Sequence, residues 1–270
     1  MALPKLENPF EFITERGRKE ATVFTGFCSK HDKELFAPIE DNFFDRSHHH
    51  VFLCAYRAFV QGYHRRMEEI NEMKQFIDIA PAWGAGWANA YCKSCEVSIQ
   101  DFDCVKKQCD EAIISKNYDV FRSVVWEFDF PVQFSCTGFS APTYDFEGNI
   151  LQNLKDFATP VKHYFITVFP EPQANKSYCI FAWLKENDIF FSEIRTQLNN
   201  KTIQEQIVFL NKLAPLMCEN FVFNPDFWDK WSDSQRSDFS RNVLNQDYTM
   251  RELNSMRNPL YDLFEQFPPK

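Results

Sequence analysis

Residues 162–185 read KHYFITVFP, then EPQANK, then SYCIFAWLK: two apolar runs separated by a short polar turn. Both runs, 162–170 and 177–185, are rich in β-branched and aromatic residues, which pack well on a pleated surface. Pro172 and Asn175 punctuate the segment between them, so the three pieces together predict an antiparallel hairpin. Neither run alternates apolar with polar residues. A strand with one wet face would alternate, so near-continuous apolarity predicts that both faces of this hairpin are covered.

Upstream, residues 132–140 and 145–151 also read as strands, with a turn at Glu147 and Gly148. The whole is a central antiparallel meander of about four strands. Before it the period is helical. Phe52, Tyr56, Phe59, Tyr63, Met67, Ile70, Met73 and Ile77 recur at three- and four-residue steps and predict one long helix over 48–79. Ser47 or Asp45 is its N-cap. Pro81, Gly84 and Gly86 break it, and shorter helices are expected over 88–98, 101–115 and 118–127. After Asp188 the pattern is helical again. Thr202 and Glu205 form a capping box ahead of Ile203, Ile207, Leu210, Ala214, Met217 and Phe221. Residues 1–46 read as irregular, and 224–270 as polar and dotted with aromatics. There Asp226, Asp229 and Asp233 form a solvated helix face over Trp228 and Trp231.

The fold class is therefore α+β, with a helical N-terminal half, a central antiparallel sheet and a helical C-terminal part. No repeat or flexible linker divides the 270 residues, so a single domain is expected: mainly helical over 1–127, a β-meander over 128–187, and mainly helical over 188–270. Phe outnumbers Leu by 30 to 15, which predicts an aromatic-rich core. A net charge of −9 disfavours non-specific binding to nucleic acid or an anionic membrane, because both need basic surfaces. No apolar run approaches the roughly 18 residues of a membrane span. The start carries no signal-peptide core, and nine cysteines, an odd number, fit reduced thiols. The cytoplasm is the expected location, with a protein as the possible partner.

The chemistry-bearing residues concentrate early. Four of the six histidines, His31, His48, His49 and His50, fall within one stretch that opens with GFCSKHD at 26–32. Cys28 and His31 have the C-x2-H spacing that lets two soft ligands converge on a zinc-class ion. A structural site needs four ligands, and His48–His50 or the pair Cys92 and Cys95 are the candidates for the remainder. Cys92 and Cys95 also continue a helical stripe with Ala88 and Ile99. Cys104 belongs to the same cysteine series, while Cys109 shares a face with Phe102, Val105 and Ile113. Buried packing therefore accounts for that series equally well. Cys28, His31 and Asp32 are also the residue types of thiol catalysis, or Asp32 simply caps a short helix over 33–36. His48–His50 either face solvent or send one ring toward Cys28. Arg57, flanked by apolar neighbours, calls for a carboxylate from Glu40, Asp41 or Asp32. Asp32, Glu40 and Arg57 are thus the candidate binding residues, and Cys28 and His31 the candidate metal ligands.

The run TVFTGFCSKHDKELFAPIE at 22–40 resembles a family of uncharacterised bacterial proteins. Residues 55–58 (AYRA), 128–131 (FDFP) and 182–185 (AWLK) are similar to later segments of it, so the likeness spans most of the chain. Some members begin with a C-x2-C and a histidine that would complete a zinc-finger or HNH-like treble clef with the pair at Cys28 and His31. The first 27 residues of this chain hold no cysteine and no histidine. What remains implied is a binding or regulatory protein of bacterial mobile-element or phage-defence context with a partial metal site. The alternative is a hydrolase or nuclease-like enzyme using Cys28, His31 and Asp32.

Overall fold

A computed structural model describes residues 26–79, 85–156, 159–218, 220–244, 253 and 256–265. The hairpin at its centre is β3 (Tyr164–Glu171) and β4 (Lys176–Leu184), joined by a 3-10 turn with Asn175 left-handed at φ 53°. β3 and β4 pair antiparallel from Tyr164 opposite Trp183 to Glu171 opposite Lys176. β1 (Phe121–Phe128) adds to the far side of β4. β2 (Phe134–Ser140) pairs with β3, and β5 (Asn220–Phe223) with β2. The order is β1-β4-β3-β2-β5, with every pairing antiparallel. Four strands expected from the sequence become five.

Both faces of this sheet are covered, as the apolar hairpin requires. On β4, Tyr178, Ile180, Ala182 and Leu184 join one core, while Cys179, Phe181 and Trp183 join the other. The first core lies under α1 (Ser29–Glu40), α2 (His48–Ile79) and α3 (Ala85–Ser115). The second lies under α4 (Ser192–Asn199), α5 (Ile203–Met217), α6 (Pro225–Lys230), α7 (Asp233–Leu244) and residues 256–265. Phe36, Phe52, Phe59 and Phe102 fill the first core, each 1% exposed or less. Each such ring contributes about 2–3 kcal/mol of burial. None of the described helices is long and apolar enough to cross a membrane.

Several expectations are corrected: residues 29–40, expected to be irregular, form α1, Gly86 lies inside α3 instead of breaking a helix, and Phe221 lies on β5 instead of α5. Residues 118–127 are not a helix: β1 occupies most of them, because Phe121, Val124, Val125 and Trp126 are β-formers that β4 can pair. The two helices expected over 88–98 and 101–115 are one continuous α3, since no Gly or Pro lies between them. Residues 145–151 form a turn rather than a strand. Asp145 Oδ1 accepts from the N–H groups of Glu147 and Asn149, both at 2.9 Å, and Gly148 sits at φ 94°. A side chain that caps its own backbone in this way competes with strand pairing, and only an isolated bridge from Tyr144 to Ile150 survives. The expectations for residues 1–25 and for Pro81 and Gly84 lie outside the described residues.

Ser47 does cap α2, its Oγ accepting from His50 N at 3.2 Å. Thr202 and Glu205 form the capping box of α5. Pro215 lies inside α5 and brings no N–H to the carbonyl of Asn211. The Tyr261 hydroxyl donates to that carbonyl instead, at 3.0 Å. The Asn211 side chain meanwhile holds Asp262 and the N–H of Leu263, so a helix defect becomes the anchor of residues 261–263.

Gly138 on β2 faces the end of α5, where an added Cβ would collide with the Met217 carbonyl oxygen and lie 2.7 Å from Cys218 Cα. Backbone cannot yield as a flexible side chain can. Gly138→Ala is expected to cost about 3 kcal/mol in urea denaturation. A midpoint within error of the parent would show that α5 moves aside freely.

Candidate functional site

α1 begins at Ser29, so Cys28 is its N-cap residue and Asp32 lies in its first turn instead of capping a helix over 33–36. The turn brings the Cys28 Sγ to 3.3 Å from His31 Nδ1, with both side chains exposed. Asp32 faces the positive end of the helix dipole, a favourable place for a carboxylate. Its carboxylate makes no hydrogen bond or ion pair with the described residues.

What fixes α1 in place is Arg57. Its guanidinium binds Glu40 Oε1 at 2.5 Å and lies 4.1 Å from the centre of the Phe36 ring. Phe36 is fully buried and Phe27 packs against it, with centroids 6.2 Å apart. Of the three carboxylates considered for Arg57, the structure thus brings Glu40 to it.

The three consecutive histidines part company. His48 is exposed, with Nδ1 3.0 Å from Asp119. His49 stacks on Tyr118 at 4.0 Å, and burial lowers its pKa. His50 is buried, 7% exposed, and its Nδ1 accepts from Asp45 N at 3.3 Å. Of the three, His48 is exposed, His49 half-buried and His50 buried.

Three of the four cysteines on α3 are packed into the helical layer. Cys92 and Cys95 are buried against α2, beside the Ile70 carbonyl and Glu69. Cys109 is fully buried, and burial pushes its thiol far up. Cys104 is exposed, 3.5 Å from Glu186. All nine cysteines are free. Among the described residues no group of three or more His, Cys, Asp and Glu side chains is gathered as a metal site.

Two features escape a reading of the sequence. One is an open cleft of about 430 Å³ between the end of α3 and the exit of β4, lined by Gln108, Glu111, Asp119, Lys185 and Glu186 among others. Hydrogen bonds from Lys185 and Arg122 hold the Asp119 carboxyl down at about 2. Cys28 and His31 do not line this cleft. The other feature is His163, buried with its ring 4.8 Å from that of Phe102 and its Nδ1 without a hydrogen-bond partner. Burial lowers its pKa to about 4; a bond to Val161 opposes this, and the charge of Arg66 adds to it. Residues from separate segments build both features, so no local motif announces either.

No family model, no curated protein and no solved structure matches the chain.

Arg57→Ala removes both the ion pair and the ring contact that hold α1. Arg57 and Glu40 are partly exposed, so about 1 kcal/mol of stability should be lost. Amide exchange in α1 should accelerate more than in α2, and equal rates in the two helices would contradict the clamp.

His163 gives the fold an acid-sensitive step. An unfolded histidine titrates near 6.5, so between there and about 4 the unfolded chain takes up a proton that the folded chain refuses. Stability falls as pH drops through this window, by about 3 kcal/mol once complete. The urea midpoint of His163→Gln should change less steeply across the window than that of the parent. Parallel slopes would remove His163 as the cause.

Proposed function

We propose that this chain is a cytoplasmic binding or regulatory protein whose Cys28 and His31 form a partial zinc-class site. One observation carries the reading: a thiol and an imidazole nitrogen lie 3.3 Å apart on the surface of α1, both exposed. Two ligands one helical turn apart can share one tetrahedral ion, and the open side leaves its other positions to water or a binding partner. A catalytic thiol would be expected in a concave, partly desolvated site. This pair is exposed on a helix end and does not line the cleft, which favours binding over catalysis.

Metal binding requires the thiolate and the neutral imidazole, so affinity should rise with pH. Elemental analysis of purified full-length chain should find stoichiometric zinc, and Cys28→Ala should remove it. Cobalt(II) added to the metal-stripped chain should give a thiolate charge-transfer band that is absent in Cys28→Ala. Folded protein that neither carries zinc nor shows the cobalt band would overturn the proposal.

A further inference from the structure

We propose that β1 is a docking edge for a second copy of this chain, forming one continuous ten-stranded sheet. β1 lies at the end of the sheet and, among the described residues, pairs only with β4. Lys185 N donates to the Val120 carbonyl at 2.8 Å, which fixes the alternation along the strand. Residues Arg122, Val124, Trp126 and Phe128 therefore turn their N–H and C=O groups toward β4. Phe121, Ser123, Val125 and Glu127 turn theirs outward. Those four N–H and four C=O groups have no partner among the described residues.

Exposed strand edges are normally blunted by proline, lysine, bulges or short length. β1 has none of these devices. It contains neither Pro nor Lys, and all eight of its residues pair with β4 in unbroken register. Its two charges are already engaged, Arg122 with Asp119, and Glu127 with Arg46 and Lys176. The opposite edge differs: β5 has only four residues before α6 begins.

The outward groups select their own strand as partner. A twofold axis normal to the sheet through Val124 places Phe121 opposite Glu127 of the second copy, and Ser123 opposite its Val125. All four outward residues of each strand are then used, giving eight inter-copy hydrogen bonds. Sliding by two residues in either direction leaves an outward residue of each β1 without a β1 partner. In the full register no like charges stand opposite one another. The same axis sets each helical layer beside its own kind, as an isologous interface demands.

Sedimentation of the unmodified chain should show a dimer that dissociates on dilution. Amide exchange at Phe121, Ser123, Val125 and Glu127 should slow as concentration rises. Val125→Pro deletes an N–H that the monomer fold does not use and should raise the dissociation constant at least about tenfold, with the far-ultraviolet dichroism kept. Should that variant fail to fold, the exchange measurement on the unmodified chain decides alone. A monomer at every concentration would overturn the proposal, and so would a dimer whose four outward amides exchange freely. A monomer with those amides protected would overturn it too, because another segment of the same chain would then cover the edge.

Discussion

Everything in this molecule depends on the hairpin of β3 and β4 being apolar on both faces. A strand buried on two sides cannot fold with one helical layer, because the uncovered face would expose a row of large side chains to water. Tyr164, Ile166 and Val168 point one way while Phe165 and Phe169 point the other, and both sets find cores. The chain answers this demand from its two ends. α1, α2 and α3 supply one layer, and α4, α5, α6 and α7 with residues 256–264 the other.

That constraint was legible because it is local: composition and spacing within residues 162–185 suffice to state it. The long helix α2 was legible for the same reason, its eight apolar positions keeping the helical period. The capping box at Thr202 was equally plain, since it links residues three apart. The misreadings share a cause. The sequence of β1 is ambiguous alone, and β4 makes it a strand by offering eight partners. At Asp145 a carboxylate captured its own backbone before any neighbouring strand could. Tertiary pairing in one case and turn chemistry in the other overrode the periodic pattern.

The same division separates the parts of the candidate site. Cys28 and His31 meet because an N-cap and the third helical residue always approach one another, so spacing alone foretold the pair. Arg57 was legible as a cation needing a carboxylate, but the choice of Glu40 depended on where α1 ends relative to α2. His163 and the cleft were illegible. His163 sits against Phe102 of α3, sixty-one residues away, and the cleft joins Glu111 to Glu186.

Cys28, His31 and Arg57 are linked through α1. The helix carries Cys28 and His31 on its exposed start, while Phe36 and the clamp between Glu40 and Arg57 secure its later turns. An ion bound to Cys28 and His31 would tie the N-cap to the first turn, adding order where the clamp does not reach. The same order lost by loosening the clamp would be charged against metal affinity, because ligands on a frayed helix must first be reassembled. Arg57 touches neither Cys28 nor His31; it holds the later turns of the helix whose first turn brings them together. A residue more than twenty positions along the chain thus steadies the helix on which the two neighbours meet.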